Sequence, residues 1–299
     1  MMIVKHRKIF YVLSLAMLTL SIFAIIHYGL NLGIDFTGGT LIEIKYQEER
    51  PEFDKVSTAV EKLDWGNVLI QPTGEQSYTF KLRNISETEK DVLFDVLTFE
   101  GKETFTQERF SDIGPTLGKE LRNKGLIAIV LVALLIILYI AFVFRQVSRH
   151  FVKSWKYGMT AIVALSHDVI ISAGAMALLG HFQGAEADAL FLTALLTILG
   201  LSVNDTIVVF DRIRENLHRH PNVKFEEVVG VSLRETYIRS INTTIVIVAV
   251  LTALLIFGPA STFYFALILL VGMIIGTYSS VFIASNLLVS WQVWQTKKN

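Results

Sequence analysis

The sequence predicts a multispanning α-helical membrane protein with six transmembrane helices and one α+β domain outside the membrane. Three observations predict it. Hydrophobic residues fill 52% of the 299 positions and charged residues only 18%, where a soluble chain carries about 25% charge. Mean hydropathy is +0.51. The apolar excess is gathered into runs at 9–30, 126–144, 157–179, 189–210, 238–257 and 263–289, each near the ~20 residues that cross a hydrocarbon core.

Composition also excludes several classes. Formal net charge is zero, so no global basic footprint for nucleic acid exists. There is no cysteine, which rules out disulfides, thiolate metal sites and cysteine nucleophiles and leaves the redox compartment open.

The first run reads as a retained span. It is long for a signal peptide, and Asn31-Leu-Gly-Ile-Asp35 lacks a small-residue cleavage box. Lys and Arg then orient the chain. Lys5, Arg7 and Lys8 precede the first run, and Arg145, Arg149, Lys153 and Lys156 separate the second and third. Arg212, Arg214, Arg219, Lys224 and Arg234 separate the fourth and fifth, and Lys297 and Lys298 end the chain. The opposite side offers 181–188, with Glu186 and Asp188 but no Lys or Arg, and the short 258–262. Basic loops gathered on one side predict cytoplasmic termini. The resulting organisation is 1–30 (N-terminus and first span), 31–123 (extracytoplasmic domain with flanking hinges) and 124–299 (a five-helix bundle).

The outer domain is too long and too patterned for a loop. Residues 40–46 alternate as a strand, and 54–63 carry Val56, Val60 and Leu63 at helical spacing. Strands at 68–71 and 78–82 flank a turn with Pro72 and Gly74. Ser86 and Glu89 form a capping box for a helix with Val92, Leu93, Val96 and Leu97, and 103–110 alternates again. The order βαββαβ predicts a ferredoxin-like domain. Without Cys, His or a phosphate-type glycine loop it suits binding or leverage rather than catalysis.

Two glycine-rich segments flank this domain: Gly33-Ile-Asp35-Phe-Thr-Gly38-Gly39, and Ile113-Gly114-Pro115-Thr-Leu-Gly118-Lys-Glu-Leu121. They read either as tight-turn linkers or as a hinge.

The fourth run carries Asp205 where a membrane span should be, and the third carries His167-Asp168. A charge at mid-bilayer costs about 2.5–3.5 kcal/mol on insertion scales, so such residues face a protein interior or a water path. Thr193, Thr197, Gly200 and Asn204 share one stripe of the fourth helix, and Ser202, Asp205 and Thr206 an adjoining one. The fifth run opens with Ser232, Thr236, Arg239 and Thr243, with Asn242 and Thr244 nearby. Gly272 and Gly276 in the sixth form a close-packing face, with Ser280 following. Asp205 and Arg239 are expected at similar depth, where a change in their separation would take up or release a proton. The same residues also suit a static ion pair that fixes packing. His167 and Asp168 point about 100° apart on a helix and need not cooperate. Asp211, Arg212, Arg214 and Glu215 read as a solvated helix end with local pairing.

The string Ser202-Val-Asn-Asp-Thr-Ile-Val-Val-Phe-Asp-Arg-Ile-Arg-Glu-Asn216 resembles the signature of the SecF family of protein-translocase subunits. The two glycine segments, His167-Asp168 and Arg239-Ser-Ile-Asn-Thr243 resemble it in the same order along nearly the whole chain. The resemblance implies half of a resistance–nodulation–division-like architecture, in a bacterial or archaeal cell membrane. It implies association with SecD and the SecYEG channel, and use of the proton-motive force to pull preproteins across after the ATP-driven stage. It places the ion-coupling carboxylate on Asp205 and its arginine on Arg239, with Asn204 and Thr243 beside them. The cargo ion would be a proton, or sodium in some relatives, with no cofactor or metal and no enzymatic activity. Unfolded preprotein and membrane lipid are the other expected contacts. Leu201, where relatives often carry an aromatic, and Glu235, where they often carry Gln, depart from the pattern.

Two other classes compete. Six spans with one outer domain look like half of a pseudo-symmetric small-solute exporter. Paired intramembrane aspartates suit an aspartyl protease, but such enzymes carry Gly-x-Gly-Asp, whereas Asp205 follows Leu201-Ser-Val-Asn204.

Overall fold

A computed structural model describes residues 2–66, 68–144 and 154–296. Arg145, Arg149, Lys153, Lys297 and Lys298, which contribute to the charge asymmetry, lie outside the described residues. In chain order the elements are α1 (Met2–Lys5), α2 (Arg7–Tyr28), α3 (Ile34–Thr37), β1 (Gly39–Tyr46), α4 (Phe53–Glu61), β2 (Leu69–Thr73), β3 (Ser77–Leu82), α5 (Glu87–Leu97) and β4 (Phe105–Ile113). Then come α6 (Pro115–Val143), α7 (Ser154–Gln183), α8 (Ala189–Arg219), α9 (Phe225–Phe257), α10 (Phe263–Tyr278), a π-helical turn Ser279–Ala284, and α11 (Ser285–Thr296). The chain divides into two units, Leu32–Leu126 and the pair Met1–Asn31 with Ile127–Asn299.

The Leu32–Leu126 unit is an antiparallel sheet in the order β2-β3-β1-β4 with α4 and α5. That is the ferredoxin-like arrangement the βαββαβ pattern predicts. Alternation sends Ile42, Ile44, Tyr78 and Phe80 into one core with Val56 and Val60 of α4 and Leu93 and Leu97 of α5. The capping box forms: Ser86 Oγ accepts from the Glu89 backbone N–H at 3.3 Å, and the Ser86 N–H donates to Glu89 Oε2 at 2.8 Å. Pro72 lies within β2 rather than in the turn. It is tolerated because β2 is an edge strand, where a missing N–H breaks no ladder bond. The last strand begins at Phe105 rather than 103, because Phe99 and Glu100 turn through left-handed backbone (φ 48° and 65°) after α5. A polar clasp ties β1 to its neighbours: Thr40 Oγ1 donates to Asp112 Oδ1 at 2.5 Å and Asn84 Nδ2 donates to the same oxygen at 2.7 Å.

The two glycine segments are not open linkers. A Cβ on Gly118 would stand 2.7 Å from the Gly38 nitrogen, and one on Gly38 would stand 2.6 Å from Pro115 Cα. Gly38 (φ 78°) and Gly39 (φ 131°) also occupy backbone that favours glycine. Gly114 meets neither requirement, and Gly33 has ordinary extended backbone (φ −69°). Asp35 sits in the first turn of α3.

Among the described residues, six helical stretches are long and apolar enough to cross a membrane. Several run past their apolar windows. Proline at the first position suits the start of α6, α8 continues to Arg219, and α9 begins at Phe225 rather than 238. The last stretch is not one continuous α-helix: the π turn interrupts it. Close contacts fix the packing. A Cβ on Gly174 of α7 would lie 2.6 Å from Ser21 Cα of α2. One on Gly276 of α10 would lie 3.0 Å from Ser202 Cβ of α8, and Gly272 meets the Ile198 side chain one turn away. The predicted small-residue face of the sixth span thus docks on α8. Towards the basic end, Phe144, Tyr157 and Phe210 form a buried aromatic cluster, with Phe144 and Tyr157 stacked at 5.0 Å. Lys156 is not a solvated loop charge. It is 1% exposed and donates to Gln292 Oε1 at 2.9 Å and Gln295 Oε1 at 2.5 Å.

Candidate intramembrane ion site

The inward stripe of α8 carries Ser202, Asp205 and Thr206, all buried, between Ile198 and Val209. The other predicted stripe goes the opposite way: Thr193, Gly200 and Asn204 are exposed and Thr197 is half-buried. On α9 the buried polar positions are Ser232, Thr236 and Ser240, spaced by four, and the series continues to half-buried Thr244. Arg239 and Thr243 lie roughly 100° off that line and are exposed.

Asp205 and Arg239 therefore form no direct ion pair, which corrects the static-pair alternative. Asp205 Oδ2 accepts from Thr277 Oγ1 of α10 at 3.3 Å, and Arg239 acts on it only at longer range. Among the described residues Arg239 forms no ion pair. Thr243 returns its hydroxyl to the Arg239 carbonyl at 3.0 Å. Its neighbour Thr244 is the one that faces α10: the Thr244 and Thr277 hydroxyls lie 2.5 Å apart. Thr277 donates to Asp205, while the single proton of Thr244 is shared between two acceptors, the Ser240 carbonyl at 2.8 Å and the Thr277 hydroxyl. Asn204 points away from this chain of hydroxyls.

Asp168 is the hub of a second, denser cluster, fully buried. Its Oδ1 lies 3.0 Å from His167 Nδ1, so these neighbours do cooperate. Its Oδ2 accepts from Ser202 Oγ of α8 at 2.6 Å and from Ser279 Oγ at 2.8 Å. Ser279 opens the π turn, a widened backbone frequent at functional sites. The turn also brings Ser280 inward, where its hydroxyl lies 2.8 Å from Thr206 Oγ1. His167 rests against the Tyr278 ring, and its Nε2 is buried without a hydrogen-bond partner. Ser279 and Thr277 escape the sequence reading, which names Thr244 only as a neighbour of Thr243, because lone hydroxyls in apolar runs are common and only the helix contacts give them a target.

The two carboxylates therefore differ. Asp168 has both oxygens satisfied by three groups and no exposure. Asp205 has one long hydrogen bond and retains 7% exposure. Asp205 therefore has spare hydrogen-bonding capacity that Asp168 lacks.

Beyond Asp205, the helices are joined by Arg212, which bonds Glu235 of α9 at 2.7 Å and pairs with Glu215. Asn216 Nδ2 donates to the same Glu235 carboxylate at 2.7 Å. Arg212 and Glu215 are thus partly an interhelical fastening rather than a purely solvated end, and Glu235 supplies a full charge at its centre.

The family described as protein export membrane protein SecD/SecF, C-terminal, matches residues 95–294, and the SecD/SecF GG motif matches 23–49. The chain is 42% identical to the protein translocase subunit SecF of Thermobaculum terrenum, over 97% of this chain and 93% of that one. It is 32% identical to the protein translocase subunit SecDF of Bacillus subtilis over 99% of this chain, and spans 38% of that longer protein. The crystal structure of SecDF, a translocon-associated membrane protein from Thermus thermophilus, superimposes with a TM-score of 0.84 at 31% identity. That match covers 97% of this chain and 38% of the other.

Proposed function

The chain belongs to the SecF family, and on that premise we propose that it is a non-catalytic subunit of the Sec protein-export machinery that couples ion flow to late-stage preprotein movement. The observation that carries this reading is the contrast between Asp205 and Asp168. An under-coordinated carboxylate, one hydroxyl chain from α9 and α10, sits beside a locked one.

Moving one charge through the membrane potential yields about 2.3 kcal/mol per 100 mV. Charging or discharging Asp205 would change what Thr277 and Arg239 do around it, and so bias the packing of α8, α9 and α10. The transported ion is a proton or a sodium ion. Both termini lie in the cytoplasm of a bacterial or archaeal cell and the Leu32–Leu126 unit lies outside. The glycine segments that hold Gly38 and Gly118 would serve as the hinge of the outer domain, which would act on unfolded preprotein leaving SecYEG.

SecD is the proposed partner. Relatives carry the two proteins in one chain under the name SecDF. Arg239, Thr243 and Asn204 are polar residues left exposed on membrane helices, which is costly against lipid and favours a second helical bundle covering them.

The test is Asp205→Asn in an export assay driven by an ion gradient. The variant is expected to insert and associate with SecD normally and to lose gradient-stimulated export. Full stimulation at unchanged expression would overturn the coupling role. Comparing a pH gradient with a sodium gradient identifies the ion.

A further inference from the structure

Three hollows overlap end to end along α2. The first, about 640 Å³, lies where α1 and α2 meet the start of α9, and its charged lining is Lys5, Arg7, Lys8 and Lys224 with Glu226 and Glu227. The second, about 470 Å³, shares Lys8 and Ile9 with it and is otherwise walled by Val12, Leu13 and Ala16. The third, about 550 Å³, shares Val12 and Ala16 and continues to Leu20 and Phe23. A cationic hollow thus continues into a shallow, almost wholly apolar groove along the outer face of α2.

The charges are not spent. Arg7 pairs with Glu226 at 3.0 Å. Lys5, Lys8 and Lys224 are exposed and form no ion pair among the described residues. The basic segment is also held in place, because Val4 of α1 is buried with Val228 and Val229 of α9. From Lys8 to Phe23 the helix rises about 22 Å, longer than the ~15 Å of one hydrocarbon leaflet. A small soluble anion would use only the first hollow; a molecule with a phosphate and an acyl chain uses all three.

We propose that this hollow and surface groove bind an anionic phospholipid, its headgroup phosphate on Lys5, Lys8 and Lys224 and one acyl chain against Val12, Ala16 and Leu20. Cations beside a membrane surface each favour anionic lipid by about 1 kcal/mol, or roughly fivefold. The bound lipid would fasten the α1–α2 corner to α9.

The test is native mass spectrometry of the full chain in detergent, titrated separately with dioleoyl phosphatidylglycerol, dioleoyl phosphatidylcholine and inorganic phosphate. Retention of phosphatidylglycerol over phosphatidylcholine is expected. The combined variant Lys5→Gln, Lys8→Gln, Lys224→Gln should weaken phosphatidylglycerol retention by at least tenfold. A control with the same charge loss, Arg214→Gln, Arg219→Gln, Arg234→Gln, should leave it within about twofold. Ala16→Trp, which fills the groove beside Val12 and Leu20, should lower retention without touching a charge. Equal loss in the control, unchanged retention in either designed variant, or displacement of the lipid by inorganic phosphate would each overturn the proposal.

Discussion

Gly276 lies against Ser202 so closely that a Cβ on the glycine would stand 3.0 Å from the serine Cβ and 3.2 Å from its hydroxyl oxygen. That hydroxyl is the one that donates to Asp168 at 2.6 Å. The position of one small residue on α10 thereby sets the distance from α8 to the carboxylate of α7. Gly276→Ala gains up to about 1 kcal/mol of helix propensity but overpacks a filled contact at about 1–3 kcal/mol. Net destabilisation is expected in thermal unfolding of the detergent-solubilised chain. Combining it with Ser202→Gly should cost less than the sum of the two changes. Strict additivity would show that the contact does not carry the effect.

Ser279→Ala removes one of the two hydroxyls on Asp168 Oδ2. A typical hydrogen bond contributes about 0.5–1.5 kcal/mol net, and a loss of at least that order is expected by chemical or thermal unfolding. Ser172→Ala is the matched comparison, since the Ser172 hydroxyl is buried without a hydrogen-bond partner. It should be neutral or slightly stabilising. Similar losses for both would remove the special role assigned to the π-turn serine.

The glycine junction separates required from dispensable glycines. Gly118→Ala drives a Cβ into the backbone of Gly38, 2.7 Å away, with no flexible side chain to give way. It should cost more than about 1 kcal/mol and lower export activity. Gly114→Ala meets nothing within 4 Å and should keep near-native stability. The two variants side by side, by unfolding temperature and export rate, check this.

Glu89 gives the outer domain a pH dependence. The Arg83 guanidinium and the Ser86 backbone N–H hold its carboxyl at about 2, below the usual 4.5. A depressed folded-state value means the stabilisation is fully present above the unfolded value near 4.5 and fades as pH falls towards about 2. Glu89→Gln should therefore unfold α5 at lower temperature at pH 6, and the difference from the parent chain should shrink at pH 3. A gap that widens on acidification would contradict the assignment.

Much of the architecture was legible because its causes are local. An apolar run near the length of a bilayer core has to be a span, so 189–210 announced α8. Period-two alternation at 40–46 announced β1, and Ser86 with Glu89 announced the start of α5. The ends of spans were less legible. The amphipathic extensions at 211–219 and 225–237 are helical because their neighbours cover one face, as Arg212 with Glu235 and Val228 with Val4 show. Hydropathy does not register such partners.

The sequence by itself determined that two carboxylates, Asp168 and Asp205, are held inside the membrane on neighbouring helices, and that a ferredoxin-like domain is inserted after the first span. Only the tertiary structure decided which groups meet them. Helical rotation turns Thr244 and Thr277 inward and Arg239 and Asn204 outward, and the π turn delivers Ser279 to Asp168. The physical reason is that residue spacing fixes directions relative to one helix axis. The contacts depend on how each helix is turned about that axis, which is set by close approaches such as Gly276 on Ser202.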